Sequence, residues 1–205
     1  MVIETMPETD EGTGQQILKE YDAGISLFGD FKASCQRLVA ELLRLEGVTV
    51  HSVHARVKER PKLQEKLGRE GKNYRSLKDV TDIIGVRVIT HFEDEVDKIG
   101  ALIEREFVID TDKSVDKRKL LDPDRFGYLS LHYICSLSQD RIRLAENRRF
   151  RELACEIQIR SILQHAWAEI EHDLGYKSGH GIPSPIFEIG RSLRGSRRRV
   201  CGHPK

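Results

Sequence analysis

Apolar residues recur at helical spacing through the first quarter of the chain, from about Gln15 to Leu45. A repeat every three or four residues places them on one face of a helix. Gly24 and Gly29 lie inside this stretch, and because interior glycines weaken a helix, we predict that they divide it into two helices. Gly47 is predicted to end the second helix as its C-cap. The apolar face consists of Leu18, Tyr21, Ile25, Phe28, Phe31, Cys35, Leu38, Leu42 and Leu45.

Shorter apolar runs predict strands further along the chain. Val48 to Val57 begins with alternating valines, and the dense β-branched run Ile83–Ile89 is typical of a central strand. Pro61 is predicted to lie in the first turn of a short basic helix. The remaining pattern predicts a helix capped by Ser76, helices over 92–106 and 162–174, strands over 107–109, 130–137 and 150–160, and a long loop over 110–127.

This order of elements predicts an α/β (α+β) fold with a mixed five-stranded sheet flanked by helices, and excludes a doubly wound parallel sheet. We expect three parts: a disordered acidic lead over residues 1–13, one domain over 14–180, and a basic, disordered tail over 181–205.

Composition narrows the class of protein. The 205 residues are 39% hydrophobic and 33% charged, which excludes a membrane protein and a fully disordered chain. The formal net charge of +1 argues against a dedicated nucleic-acid binder. Six of the 34 basic residues lie in the last fifteen positions, which hold no acid, so the rest of the chain is acidic.

The four cysteines are scattered and no signal sequence is evident, so we expect reduced thiols and a cytoplasmic protein.

A basic segment follows the first predicted strand. Residues 55–90 hold ten basic and five acidic side chains, among them Arg56, Lys58 and Lys66. Lys62 and Lys66 share one helix face, which suits a polyphosphate. The alternative is an ordinary solvated basic face.

Asp82 precedes the central strand that carries Gly85 and Arg87. A carboxylate at the mouth of a buried strand is costly unless it is paired or binds a metal. Asp82 and Arg87 have opposite parity, so either Asp82 lies in the preceding loop or the strand is irregular. Gly85 leaves room for a close approach.

Two later predicted strands carry polar residues that alternate with apolar ones. Tyr128, at a loop–strand junction, offers a ring for base stacking, and His132 faces away from Leu131. Their alternatives are a turn tyrosine and a hydrogen-bonded structural histidine. Period two places Glu156, Gln158 and Arg160 on one face, which is either an exposed sheet face or the floor of a polar site.

A metal site on the last helix is a competing interpretation. His165, Glu169 and His172 follow one another at helical spacing and have the chemistry of metal ligands. Three ligands from a single helix make an unusual geometry, which disfavours such a site.

In this order the motifs resemble the synthetase domain of the RelA/SpoT family, the (p)ppGpp or alarmone synthetases. The stretches that carry the resemblance are Arg56-Val57-Lys58, Asp82-Ile83-Ile84-Gly85-Val86-Arg87, Gly127-Tyr128-Leu129-Ser130-Leu131-His132, Glu156-Ile157-Gln158-Ile159-Arg160 and Trp167-Ala168…Glu171-His172…Tyr176-Lys177. The resemblance covers about residues 15–180 and implies a nucleotidyltransferase-like fold. Since no hydrolase or regulatory region flanks the domain, the chain is similar to a stand-alone small alarmone synthetase.

The resemblance implies transfer of pyrophosphate from ATP to the ribose 3′-hydroxyl of GDP or GTP, with AMP leaving. It assigns Mg²⁺ to Asp82 and Glu156 and gives Glu156 the alternative role of drawing the proton from the hydroxyl. The remaining implied roles are sandwiching of adenine by Arg56 and Arg87, phosphate binding by Lys58 and Lys66, stacking of Tyr128 on the acceptor base, and contact of His132 with the acceptor's phosphates. Gln158 and Arg160, which share a face with Glu156, are candidate substrate-binding residues.

Two departures keep alternatives open. Phe126 stands where guanine-using members commonly have asparagine, so ADP, ATP or the 3′ end of tRNA are alternative acceptors, as in toxic relatives. The basic tail has no apolar period, so a homo-oligomer built by C-terminal helices is not assumed, and a catalytically inactive nucleotide- or RNA-binding module is the third reading.

Overall fold

The computed structural model describes residues 10–69, 71, 73–116 and 130–178. Its helices are α1 (Asp10–Leu45), α2 (Arg60–Leu67), α3 (Asp94–Glu106), α4 (Gln139–Arg143) and α5 (Ile162–Ser178), with short 3₁₀ helices at Leu77–Asp79 and Ala145–Phe150. Its strands are β1 (Ser52–Val57), β2 (Ile84–Thr90), β3 (Phe107–Asp116), β4 (Leu131–Leu137) and β5 (Cys155–Ser161).

The strands form one mixed sheet in the order β1-β2-β5-β4-β3. Only the β2–β5 pair is parallel, and the other three pairs are antiparallel. The predicted mixed five-stranded sheet is therefore confirmed. Within the described residues, no helix has the length and apolar character that a membrane crossing requires.

One face of the sheet forms the hydrophobic core. Alternate residues of β2 and β5, such as Val86 and Ile157, point into this core and are fully buried. Helix α1 covers β1 and β2 on this side, while α3 covers β3, β4 and β5. The contact with α3 is close at Gly100, where an added Cβ would lie 2.9 Å from Leu131 Cδ2. The opposite face of the sheet carries the polar residues of the same strands.

The prediction of two N-terminal helices was wrong, because α1 runs without a break for 36 residues. Interior glycine costs about 1 kcal/mol relative to alanine, whereas burial of one large apolar side chain contributes about 1.5–3 kcal/mol. Phe31 and Val39, both fully buried on α1, thus outweigh Gly24 and Gly29. Gly47 ends the helix at φ 65°, as predicted.

Helix α1 also begins inside the predicted disordered lead. Residues 10–13 are helical and form the first turn of α1. Residues 1–9 and the predicted tail beyond 178 lie outside the described residues.

The predicted loop over 110–127 was wrong for its first part, because β3 extends to Asp116. The strand continues through a bulge between Asp110 and Val115. At the bulge the Ser114 hydroxyl donates to the Asp110 carbonyl at 2.6 Å and accepts from the Ile134 N–H at 2.9 Å. A side chain thus replaces backbone partners in the ladder, so polar sequence is compatible with a strand here.

The strand predicted over 150–160 starts later, at Cys155. Residues 145–150 instead form a 3₁₀ helix that buries Phe150 against Phe31, with ring centroids 5.1 Å apart. The aromatic residue that suggested a strand is therefore buried against α1.

We predict opposite effects for the two glycines of α1. An added Cβ at Gly29 meets no atom within 4 Å, so Gly29→Ala should raise the free energy of unfolding by about 0.5–1 kcal/mol. At Gly24 the Cβ would lie 2.4 Å from Phe28 Cζ, so Gly24→Ala should displace the ring and lower stability. Urea unfolding of both variants measures this difference. A lower stability for Gly29→Ala would contradict the packing account.

Candidate active site

The polar face of the sheet brings the predicted site residues into two adjacent rows. In the first row Gly85 of β2 lies between Arg56 of β1 and Glu156 of β5. In the second row Arg87 lies between His54 and Gln158, and His132 of β4 follows Gln158. Residues far apart in the sequence therefore form one surface.

Asp82 lies in the turn before β2. Of the two predicted alternatives, a position in the preceding loop or an irregular strand, the structure therefore has the first. Lys58 Nζ is 2.9 Å from Asp82 Oδ2, and Lys66 Nζ is 2.8 Å from Asp82 Oδ1. The end of β1 is fixed here because the Lys58 N–H donates to the Ile83 carbonyl at 2.7 Å and Tyr21 donates to the Lys58 carbonyl. One carboxylate thus holds two ammonium groups together.

The Asp82 carboxyl is half-buried, and its environment favours the ionised form. Burial alone raises its pKa, but hydrogen bonds from Lys66 and Lys58 outweigh burial and hold the pKa below its usual range. Two cations against one anion leave the cluster with a surplus positive charge. Such a cluster can bind a phosphate group through the lysines while the carboxylate stays available to a cation.

Glu156 is held on both carboxylate oxygens. His132 Nδ1 lies 2.7 Å from Oε1, and Gln158 Nε2 donates to Oε2 at 2.8 Å. Ser130 Oγ lies 2.6 Å from His132 Nε2, so both ring nitrogens of His132 have a hydrogen-bond partner. The chain Ser130–His132–Glu156 fixes the orientation of the carboxylate.

The two carboxylates influence each other. Burial raises the pKa of Glu156, but the interactions with His132 and the hydrogen bond from Gln158 together outweigh burial, and the pKa lies below its usual range. The negative charge of Asp82 acts in the opposite direction, by raising the pKa of Glu156. The Asp82 carboxylate is therefore close enough to Glu156 for its charge to act on it.

Arg56 and Arg87 project from neighbouring strands of the polar face. Arg56 is exposed, and the Cβ that Gly85 lacks would lie 4.0 Å from Arg56 Cγ, an ordinary contact. Arg87 Nη1 donates to Glu169 Oε1 of α5 at 3.3 Å. Diagonal neighbours on adjacent strands are close enough for long side chains to enclose a flat ring between them.

Arg160 occupies a different position from the other candidates. Its side chain is 1% exposed, and its Nη2 lies 3.6 Å from Glu169 Oε1, beside the Arg87 contact. Burial therefore separates Arg160 from the surface where a substrate would bind. Its guanidinium lies beside the Glu169 carboxylate, which in turn accepts from Arg87, so Arg160 helps to position Glu169. His165 Nδ1 is 3.5 Å from the same carboxylate oxygen. Burial, Arg160 and Arg87 lower the pKa of His165.

The structure differs from the implied role of His132. The resemblance implies that His132 contacts the acceptor's phosphates. In the structure its imidazole is buried, and both ring nitrogens contact protein side chains. In this conformation His132 orders Glu156. Tyr128 and Phe126 lie outside the described residues, as do the side chains of Glu171 and His172.

Sequence reasoning missed two members of the site. Ser130 was part of a motif but had no role, and its spacing of two from His132 on one strand was the available signal. Glu169 was considered only as a metal ligand. Its contact with Arg87 joins residues 82 positions apart, for which the single sequence holds no signal.

The oxygen ligands of Asp82 and Glu156 fit a hard divalent cation such as Mg²⁺. No group of three His, Cys, Asp or Glu side chains suited to a metal ion occurs in the described ranges. Mg²⁺ typically binds through one or two carboxylates, with water and substrate phosphates completing its shell. The two carboxylates therefore match a cation that arrives with a nucleotide.

Comparison with known proteins places these observations in a family. Residues 55–181 match the model of the region found in RelA/SpoT proteins. The chain is 26% identical over 140 residues to the GTP pyrophosphokinase YjbM of Bacillus subtilis (strain 168). This alignment covers 67% of this chain and 62% of that protein. The chain is 27% identical over 142 residues to the GTP pyrophosphokinase YwaC of the same organism, covering 68% and 64% respectively. The chain thus spans somewhat less than two thirds of the length of these curated relatives.

A solved structure has the same fold. The crystal structure of small alarmone synthetase 1 from Bacillus subtilis, bound to its product pppGpp, aligns with a TM-score of 0.66 at 20% identity. The alignment covers 89% of this chain and 93% of that one. The predicted fold class is confirmed by this likeness.

Proposed function

The chain belongs to the RelA/SpoT family, and on that basis we propose that it is a nucleotide pyrophosphokinase. The reaction transfers the β,γ-pyrophosphate of ATP to the ribose 3′-hydroxyl of GDP or GTP, making (p)ppGpp for stringent-response signalling. The observation that carries the proposal is the pairing of Lys58 and Lys66 with Asp82, in the turn that leads into β2, where Gly85 pairs with the strand residue Glu156. We further propose that the protein works in the cytoplasm, where ATP and guanine nucleotides are available.

The residues divide the work by chemistry. Lys58 and Lys66 bind the ATP phosphates when these displace the contact with Asp82, because ammonium groups bind phosphate as point charges. Asp82 and Glu156 are the residues that would hold Mg²⁺, which when bound neutralises charge on the phosphate oxygens. Phosphoryl transfer depends mainly on alignment and electrostatic stabilisation, and this set of side chains supplies both.

Glu156 is also placed to accept the proton of the attacking hydroxyl. The acceptor loses the bond between its 3′-oxygen and hydrogen and forms a bond from that oxygen to the β-phosphorus. The bond from the β-phosphorus to the α,β-bridging oxygen breaks, and AMP leaves with that oxygen. His132 and Gln158 keep the carboxylate in position during the transfer.

Arg56 and Arg87 are proposed to enclose the adenine ring of ATP. Stacking on a nucleobase contributes about 1–3 kcal/mol, so Arg87→Ala should raise the KM for ATP about 5- to 150-fold. The KM for the acceptor should stay near its original value. Steady-state kinetics with each substrate varied in turn measures the two constants. Arg60→Ala is the matched control, because Arg60 is exposed and pairs with Asp22. An unchanged KM for ATP in Arg87→Ala would remove this role.

A second group of molecules is a candidate for the acceptor of the pyrophosphate. Phe126 replaces the asparagine that is common in guanine-using members, and the last fifteen residues are basic, which favours ADP, ATP or the 3′ end of tRNA. The experiment is incubation of pure protein with labelled ATP and each acceptor in turn, in the presence of Mg²⁺. Predominant product from GDP or GTP supports the proposal, and predominant product from tRNA or ADP supports the alternative.

An inactive nucleotide- or RNA-binding module is a weaker proposal. A module that only binds has no need for two ionised carboxylates in each other's field, and both Asp82 and Glu156 have that environment. Measurement of the molecular mass in solution tests whether the chain forms a homo-oligomer.

A further inference from the structure

A cavity of about 770 Å³ lies at the end of the sheet where β2 and β5 begin. Its volume falls within the range of about 300–1,000 Å³ that is typical of small-molecule sites. Neither the lysines and carboxylates of the candidate active site nor Arg56 and Arg87 line it. It is therefore a separate space, although Thr81 and Ile83 in its wall flank Asp82.

The inner wall of the cavity is apolar and comes from several elements. Leu27 of α1, Val80 and Ile83 before β2, Ile134 of β4 and Leu153 before β5 contribute to it. A cavity with such a wall favours an apolar body over water. Phe28 is the one aromatic residue that the described part of the chain contributes to the wall, and it is itself buried, so these residues offer no exposed ring on which a nucleobase would stack.

The wall also carries a surplus of positive charge. Lys78 pairs with Glu152 at 2.6 Å and Lys113 with Asp110 at 3.2 Å, so these cations are matched locally. Among the described residues, the carboxylate of Glu20 is the only further acid in the wall. The other basic residues of the wall are the arginines at positions 148, 149 and 151.

Two of these arginines keep their guanidinium groups out of direct ion pairs. Arg149 pairs with Asp30 at 2.7 Å, whereas among the described residues neither Arg148 nor Arg151 has an acid within ion-pair distance, although the charge of Arg151 acts on the neighbouring Glu152. Both are exposed, so their guanidinium groups retain their donors for an incoming anion. Guanidinium matches the planar oxygens of a carboxylate or phosphate.

From this combination we propose that the cavity binds a small amphipathic anion, with an apolar chain against Ile134 and Leu153 and one carboxylate or phosphate at Arg148 and Arg151. The proposal concerns a site distinct from that of the proposed reaction. Binding is measured without nucleotide, so it can succeed or fail whether or not the protein is a pyrophosphokinase.

The test is isothermal titration of the full chain with decanoate and with decyl phosphate, each below its micelle concentration. We expect saturable binding of at least one of them at a single site, and the comparison shows which head group is preferred. Decanol tests the contribution of the charge, and inorganic phosphate tests that of the chain. Both should bind more weakly than the amphiphile.

Two variants locate the site. The double substitution Arg148→Ala and Arg151→Ala should weaken binding about tenfold or more, since charge-assisted hydrogen bonds contribute about 1.5–3 kcal/mol. Arg143→Ala is the matched control, because Arg143 is exposed in the preceding segment and does not line the cavity. Leu153→Trp should weaken binding by filling the space, and its thermal unfolding shows whether it folds.

Absence of saturable binding by either amphiphile overturns the proposal. Equal affinity in the double arginine variant and in the original protein also overturns it, as does displacement of the amphiphile by ATP in simple competition, because the ligand would then occupy the nucleotide site.

Discussion

Replacing Asp82 with asparagine is expected to reduce pyrophosphate transfer at least about 100-fold, while the protein stays folded. The substitution keeps the shape of the side chain but removes the charge that lies 2.9 Å from Lys58 and 2.8 Å from Lys66. It also removes one of the two carboxylates proposed to hold Mg²⁺. Removal of one group that stabilises charge in a transition state, such as an oxyanion-hole donor, costs about 10²–10³ in rate, and we expect a loss of similar size here.

The measurement is the initial rate of product formation from ATP and GDP at saturating concentrations. Asp22→Asn is the matched control, because Asp22 makes an exposed ion pair with Arg60 at 2.9 Å. Thermal unfolding of each variant separates loss of chemistry from loss of fold. Transfer by Asp82→Asn within a few fold of the original rate would refute the role of this residue.

Glu156→Gln is expected to reduce the rate about 10²- to 10⁴-fold, the usual contribution of a positioned general base. Glutamine keeps an oxygen that can accept from His132, so the local geometry is preserved, but it cannot take the proton of the 3′-hydroxyl. We therefore expect kcat to fall with little change in the KM for the acceptor. This pattern would distinguish a catalytic group from one that only binds nucleotide.

Glu41→Gln serves as the control, since Glu41 is exposed and pairs with Arg44 on α1. A second comparison uses His132→Asn, which removes the contact at 2.7 Å with Glu156 but leaves the carboxylate in place. We expect His132→Asn to lose less activity than Glu156→Gln, because its role is to position Glu156. Full activity in Glu156→Gln would contradict the site as described.

The strands that form the site were predictable because their sequence repeats with period two. Ile157 and Ile159 alternate with Glu156 and Gln158, and the structure buries the first pair in the core. The alternation identifies which residues share a face, but the register between strands does not follow from it. The pairing of Gly85 with both Arg56 and Glu156 depends on how β1, β2 and β5 assemble.

Errors arose where tertiary contacts overrode local preference. Gly24 and Gly29 disfavour helix locally, but burial of one face of α1 against the sheet keeps the helix continuous. In β3 the polar run was assigned to a loop, and the hydroxyl of Ser114 completes the ladder instead. Neither effect is visible without knowing which elements pack together.

The interactions within the site were the least predictable part. The sequence motifs select Asp82, Lys58 and Lys66, and the structure shows that these three form one cluster. By contrast, the contact between Arg87 and Glu169 joins two elements that the sequence treats separately. The burial of Arg160 under Glu169 could be found only from the fold.

The central claim is that this chain transfers a pyrophosphate group as a unit. The most direct measurement follows ATP labelled at the γ-phosphate together with GDP and Mg²⁺, with separation of all nucleotide products. The account predicts equal amounts of AMP and of a guanosine product that carries the label in a 3′-pyrophosphate. Formation of ADP and a singly phosphorylated acceptor, or no labelled guanosine product at all, would contradict it.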